Sequence, residues 1–265
     1  TVVEARDTEK DCTVALKIPH EYVLAYQGTR RFLREIDIQR SLRHPMIISC
    51  SEAVELETYS GKQTLGYVMK YLQGKTLFDI LDEGEILSDE CAAKVVGYIA
   101  HTLDYLHRKG IVHRDLKPEN ILFDNGRPIL IDFGIAYSNN HQGCMTGGIE
   151  EAFVKRSKKK RRLTGLHAVG TPEFMSPEQG LAQPFDGRAD LYGLGMILYR
   201  SLTGTLPFTD RNKIHIIKRQ IEERPRSVNE ERAQRGRPPS LLEKVCMKLL
   251  RKKPHRRYQT GRGVV

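Results

Sequence analysis

The octapeptide His-Arg-Asp-Leu-Lys-Pro-Glu-Asn at residues 113–120 constrains the fold of this chain more than any other stretch. A short apolar run follows it, then Asn125-Gly126, then a second apolar run that ends just before Asp132-Phe133-Gly134. Two short apolar runs around an Asn-Gly pair predict a β-hairpin with a type I′ turn. Because a hairpin brings its two ends together, we expect the polar residues on either side of it to lie close to each other.

These polar residues suit phosphoryl transfer. That reaction needs an acceptor hydroxyl in line with the γ-phosphate, and metal ions for the negative charge that develops. Mg²⁺ prefers oxygen ligands, typically one or two carboxylates with phosphates and water, and Asn120 and Asp132 can supply such oxygens. Asp115 can orient the hydroxyl and accept its proton, and Lys117 can neutralise charge on the phosphoryl group during transfer.

The full octapeptide, followed at hairpin distance by Asp-Phe-Gly, resembles the signature of the eukaryotic-type protein kinases. Lys117 after Asp115 is similar to the serine/threonine branch of that family. The resemblance implies ATP and Mg²⁺ as cofactors, and protein substrates whose Ser or Thr hydroxyls accept the γ-phosphate. It makes Asp115, Lys117 and Asn120 catalytic residues and assigns the metal to Asn120 and Asp132. A lone His-Arg-Asp could instead be a buried polar loop of another α/β protein.

The stretch Val14-Ala15-Leu16-Lys17 resembles the kinase strand whose lysine contacts the α- and β-phosphates of ATP. A period of two places Ala15 and Lys17 on one face of this strand, and the resemblance assigns both to the nucleotide site. A lone lysine on a strand is more often a solvated strand end, but the octapeptide downstream favours the functional interpretation.

An apolar stripe with roughly helical spacing predicts a helix over residues 30–42. This helix resembles the kinase C-helix, and Glu35 matches the residue that pairs with Lys17. A surface pair with Arg31 or Gln39 is the alternative for this glutamate. The family usually has an apolar residue at the position of Gln39, so we expect the helix to be held less firmly in its active position.

Residues 67–74 resemble the hinge that joins the two lobes of a kinase. By that match Met69 is the gatekeeper, and the backbone of Lys70 and Leu72 meets the adenine ring. Backbone recognition tolerates side-chain change, so Lys70, where glutamate is common, should not abolish nucleotide binding. It should add a cation at the mouth of the pocket.

The resemblance covers nearly the whole chain and implies an α+β fold, the two-lobed protein kinase fold. We expect a small β-rich N-lobe with one C-helix over residues 1–70 and a larger, mainly helical C-lobe over residues 71–265. The activation segment would run over residues 132–178 and contain a basic insertion.

Three charged residues after the hairpin match structural positions of the family. Glu178 lies in a Ser-Pro-Glu-Gln stretch that is similar to bacterial members. Arg257 matches the arginine that pairs with this glutamate. Asp190 matches the residue that caps and orients the catalytic loop.

The net charge of +10 is concentrated in one segment. Residues 155–162 hold seven cations and no anion, which leaves +3 for the rest of the chain. Nucleic-acid binding is therefore an alternative for this segment alone, and we interpret it as a disordered insertion with no specific nucleic acid as partner. Thr164 follows the run and is our candidate for an activating phosphorylation site, because Arg114 matches the arginine that reads such a phosphate.

The composition, with 39% apolar and 29% charged residues, fits a soluble globular protein. No apolar run is long enough to span a bilayer, and we expect no signal peptide in this sequence. Five scattered cysteines without a C-x-x-C pair indicate reduced thiols. We therefore expect a cytoplasmic domain that makes no membrane contact itself, although a longer parent could be tethered.

The resemblance also places a Gly-rich loop and a further strand before Thr1, and a helix after Arg257. We therefore expect a fragment of a longer kinase. A pseudokinase that only binds or scaffolds is the second alternative, and the absence of a Gly-rich loop favours it. The four residues whose loss would mark a pseudokinase are nevertheless all present: Lys17, Asp115, Asn120 and Asp132.

Overall fold

The computed structural model describes residues 1–19, 26–57, 63–134, 136–138 and 170–265. The first part of the chain forms a four-stranded antiparallel sheet with one helix. Its elements are, in chain order, β1 (Val2–Asp7), β2 (Cys12–Lys17), α1 (Tyr26–Ser41), β3 (Cys50–Glu57) and β4 (Gln63–Lys70). The strands are ordered β1-β2-β4-β3, so β2 and β4 form the middle of the sheet.

The register between β2 and β4 brings residues of the nucleotide-site prediction together. Lys17 lies opposite Tyr67, and Ala15 lies opposite Met69. Because side chains alternate along a strand, these two pairs share one face of the sheet. Ala15, Tyr67 and Met69 are buried there in an apolar cluster that includes Phe32 of α1.

Two predicted element boundaries were wrong. Helix α1 begins at Tyr26, before the predicted start at residue 30. The sequence from Ile47 to Leu56 predicts a strand over that range, but strand β3 begins at Cys50. Ile47 instead forms an isolated bridge with Leu130, which joins the sheet to the hairpin of the second part.

The predicted hairpin is confirmed. The second part of the chain contains the strands β5 (Ile111–Val112), β6 (Ile121–Asp124), β7 (Arg127–Leu130) and β8 (Tyr137–Ser138), and β6 pairs with β7. Between β6 and β7, Asn125 has φ of 50° and Gly126 has φ of 75°. A type I′ turn requires positive φ at both of its central residues.

Helices make up most of the second part. They are α2 (Leu77–Asp82), α3 (Asp89–Arg108), α4 (Pro177–Gly180), α5 (Arg188–Thr203), α6 (Lys213–Glu222), α7 (Val228–Gln234) and α8 (Glu243–Leu249). Nearly every residue of α5 is buried, and its apolar residues are distributed all round the helix. The main core lies where α5 packs against α3 and α8.

This architecture, a sheet region followed by a helical region, confirms the predicted α+β kinase fold class. The division into lobes at residue 70 stays a prediction. None of the helices in the described ranges combines the length and the apolar character needed to cross a membrane.

Candidate active site

Lys17 at the end of β2 binds two carboxylates that come from distant parts of the chain. Its Nζ donates to Glu35 Oε1 at 2.5 Å and to Asp132 Oδ1 at 2.8 Å. Burial alone would lower the pKa of Lys17, but the two carboxylates outweigh this effect and raise the pKa above its usual value. Partial burial alone would raise the pKa of Asp132, yet Lys17 holds it below the usual value. The site therefore keeps a charged lysine beside an ionised aspartate.

Tyr67 completes this cluster, and the sequence analysis missed it. Its hydroxyl donates to Glu35 Oε1 at 2.6 Å, and its side chain is fully buried. Burial, followed by the charge of Glu35, raises the pKa of Tyr67, so the hydroxyl stays a donor. The period of two along β4 could have found it, because Tyr67 precedes the predicted gatekeeper Met69 by two residues and lies on the same face.

The predicted catalytic loop, residues 113–120, brings the side chains of Asp115 and Lys117 together. Lys117 Nζ lies 3.0 Å from Asp115 Oδ2 and donates to Thr171 Oγ1, also at 3.0 Å. The backbone N–H of Thr171 donates to Asp115 Oδ1 at 2.8 Å. Thr171 therefore ties the segment after residue 170 to the loop, a contact between residues that lie far apart in the sequence.

Asn120 lies between this loop and the hairpin. Its Nδ2 donates to the backbone oxygen of Asp115 at 2.9 Å, and its own backbone oxygen accepts from Ile131 N at 2.9 Å. The side-chain nitrogen is thus engaged, and only the side-chain oxygen can serve as a metal ligand. The second contact brings Asp132, the next residue after Ile131, close to Asn120.

Asp190 binds the backbone of the predicted catalytic loop, which is the contact that the family resemblance implies. Its carboxylate accepts from His113 N at 2.9 Å and from Arg114 N at 2.8 Å, and it lies 2.8 Å from His107 Nε2. Burial alone would raise the pKa of Asp190, but its bond to His107 and its other donors lower it. Arg114 has φ of 73°, a strained conformation that costs about 1–3 kcal/mol for such a residue. The two backbone hydrogen bonds to Asp190 hold the loop in that conformation.

The predicted adenine-binding residues lie at the end of β4. Met69 is buried against Ala15, and Leu72 packs partly buried against the same cluster. Lys70 was expected to add a cation at the mouth of the pocket, but its Nζ pairs with Asp124 Oδ2 at 2.8 Å. Asp124 of the hairpin therefore neutralises the positive charge of Lys70.

The predicted pairing of Glu178 with Arg257 is confirmed. The two oxygens of Glu178 accept from the two terminal nitrogens of Arg257 at 2.6 and 2.7 Å, and both side chains are buried. Of the predicted activation segment, only residues 132–134, 136–138 and 170–178 are described. The basic run at 155–162 and the candidate phosphorylation site Thr164 lie outside the described residues.

Comparison with known proteins identifies the family of this chain. Residues 1–262 match the protein kinase domain family. The chain is 30% identical to a probable serine/threonine-protein kinase of Clostridium perfringens, over all of the chain and 35% of that protein. It is 33% identical to the serine/threonine-protein kinase PknB of Mycobacterium tuberculosis, over 87% of the chain and 34% of that protein. A probable serine/threonine-protein kinase of Streptomyces coelicolor is also 33% identical, over 98% of the chain and 36% of that protein.

The chain spans about a third of the length of these relatives. All three are named as serine/threonine kinases, and the family match extends from the sheet region to the last helix of the chain. The chain therefore belongs to the protein kinase domain family and is similar to its bacterial serine/threonine members.

Proposed function

We propose that the protein containing this chain transfers the γ-phosphate of ATP to Ser and Thr hydroxyls of protein substrates. The observation that carries this proposal is the junction of two clusters. Lys17, Glu35 and Asp132 form one of them, and Asp115 and Lys117 form the other. The contact between Ile131 and Asn120 joins the two at the base of the hairpin. A phosphate bound by the first cluster would face the second.

Nucleotide binding follows from the first cluster. Lys17 carries the charge that the α- and β-phosphates require, and Glu35 fixes its position. Ala15 and Met69 supply an apolar surface for the adenine ring, and the backbone of Lys70 and Leu72 supplies its hydrogen-bonding groups. Because Lys70 is already paired with Asp124, its side chain is free of any role in that recognition.

Kinases of this family use ATP with a divalent metal ion, and we propose Mg²⁺ at Asn120 and Asp132. Both residues offer hard oxygen donors, and the lowered pKa of Asp132 keeps its carboxylate ionised. Asp132 Oδ1 already accepts from Lys17 and from Gly134 N at 3.0 Å, so Oδ2 would be the oxygen left for the ion. The ion would neutralise charge on the phosphates during transfer.

In the second cluster, Asp115 and Lys117 act on the proton of the substrate hydroxyl and on the charge of the transferred phosphoryl group. Asp115 accepts the proton of the substrate hydroxyl, and its orientation is fixed by the backbone N–H of Thr171. Lys117, held between Asp115 and Thr171, stabilises the charge on the phosphoryl group as it moves.

Phosphoamino-acid analysis tests the proposal directly. Incubation with ATP, Mg²⁺ and a generic protein substrate should place phosphate on Ser and Thr, and EDTA should stop the transfer until Mg²⁺ is restored. Asp132→Asn should raise the Mg²⁺ concentration required for half-maximal rate. The proposal fails if no phosphate is transferred although ATP binds, or if phosphotyrosine predominates.

Thr171→Val is expected to lower kcat by about tenfold, the typical value of one hydrogen bond to a charged group. The substitution removes the acceptor for Lys117 Nζ but keeps the backbone bond to Asp115. Steady-state kinetics would measure the loss of kcat, with Thr171→Ser as the matched control that retains the hydroxyl. Equal kcat values for the two variants would show that the hydroxyl has no part in the reaction.

A further inference from the structure

Gln39 is a fully buried polar residue behind the nucleotide site. It lies one helical turn after Glu35, so both residues project from the inner face of α1 toward β4. The buried cluster on this face is apolar and includes Ile36, Ile48 and Met69. A glutamine in such a place needs hydrogen-bond partners for both ends of its amide.

The two inward-facing polar residues of α1 differ sharply in how well they are paired. Glu35 accepts from Lys17 and from Tyr67 at 2.5 and 2.6 Å. Gln39 has one contact, from Nε2 to Met69 Sδ at 3.8 Å, and a thioether is a weak acceptor. Among the described residues, Gln39 Oε1 has no hydrogen-bond partner.

Turning the amide over does not relieve this deficit. The sulfur of Met69 has no hydrogen to donate, so an oxygen placed against it would again be unpaired. A buried oxygen without a donor lowers the equilibrium constant for the packed arrangement by a factor of about five or more. The penalty falls on α1, the helix whose inward position forms the bond between Glu35 and Lys17.

We propose that Gln39 is a positioning residue that weakens the inward packing of α1 and so limits the fraction of molecules in which Lys17 and Glu35 are paired. This inference rests on the proposed function, because that pair must form for phosphoryl transfer. The penalty from Gln39 opposes the bonds that Glu35 makes, so it lowers the fraction of molecules in which the pair is formed. A signal or partner that stabilises α1 by a small amount would then raise the activity.

Gln39→Met tests the proposal, since methionine has nearly the shape of glutamine without its amide. The variant should raise kcat/KM for ATP by up to about fivefold and leave KM for the protein substrate unchanged. In a Glu35→Gln background the same substitution should give no gain, because the pair that it promotes cannot form. No gain in the native background, or an equal gain in both backgrounds, would overturn the proposal.

Two control variants separate this effect from general changes in the helix. Asp37→Asn changes an exposed residue of α1 and should leave the kinetics unchanged. Gln39→Glu keeps the shape but introduces an ionisable group, and it should lower kcat/KM because a buried charge without a partner is costly.

Hydrogen exchange of the α1 backbone amides gives a readout that does not depend on catalysis. Exchange measured by mass spectrometry over residues 32–41 should slow in Gln39→Met and accelerate in Gln39→Glu. If α1 responds in this way but the native protein transfers no phosphate, the proposed function fails and the packing effect of Gln39 stands. If exchange is the same in all variants, the inference about Gln39 is wrong whatever the activity.

Discussion

Asp115→Asn is expected to reduce kcat by roughly a hundredfold or more, the range of a lost general base, while ATP affinity changes little. Asparagine has almost the same shape and keeps an oxygen for the backbone N–H of Thr171, so the loop should retain its conformation. It cannot accept the proton of a substrate hydroxyl, and it removes the negative charge that holds Lys117. The proposed nucleotide site around Lys17 does not include Asp115 and should persist.

Steady-state kinetics and calorimetric titration with ATP measure the two quantities separately. Asp124→Asn is a matched control, since it neutralises a carboxylate on the neighbouring hairpin, one that accepts from the side chains of Lys70 and Asn125. That variant should retain nearly the native kcat. A kcat for Asp115→Asn within tenfold of the native value would contradict the role assigned to Asp115.

The hairpin and the catalytic loop could be predicted because their signals are local. Asn125-Gly126 specifies the type I′ turn by the conformations that these residues tolerate, and flanking apolar runs complete the motif. The position of Asp132 relative to Asn120 then follows from the closing of the hairpin. These features need no knowledge of the rest of the chain.

The parts that the sequence analysis missed depend on contacts between distant segments. Helix α1 begins at Tyr26, although Gly28 and Thr29 are weak helix formers, so local propensity does not set this boundary. Ile47 looks like the start of a strand, yet its backbone bridges to Leu130 of the hairpin. A period of two identifies a strand-like face but does not identify which distant residue will cover it.

The candidate site shows the same limit. The carboxylate of Asp190 and the backbone of Arg114 meet only when α5 is packed under the loop. The hydroxyl of Thr171 meets Lys117 only when the segment after residue 170 is in place. Such contacts follow from the whole fold, and here only the family resemblance pointed to one of them, that of Asp190.

Arg257→Ala is expected to lower the free energy of unfolding by about 3–5 kcal/mol, the usual cost of breaking a buried ion pair. The guanidinium is fully buried and binds both oxygens of Glu178. It also donates to three backbone oxygens, those of Arg188, Arg251 and Lys252, at 2.7 to 2.9 Å. Alanine leaves the carboxylate without its counter-ion and these carbonyl groups without a donor.

Urea unfolding would measure the loss, with Lys94→Ala as the control. Lys94 pairs with Glu90 at 2.7 Å, but both side chains are mostly exposed, so its removal should change stability little. Adding Glu178→Gln to Arg257→Ala should recover part of the lost stability, because the variant then buries no uncompensated charge. If the two single alanine variants were equally stable, the buried pair would contribute no more than a surface pair. The position of Glu178 would then depend on the apolar packing of α4 and α5 instead.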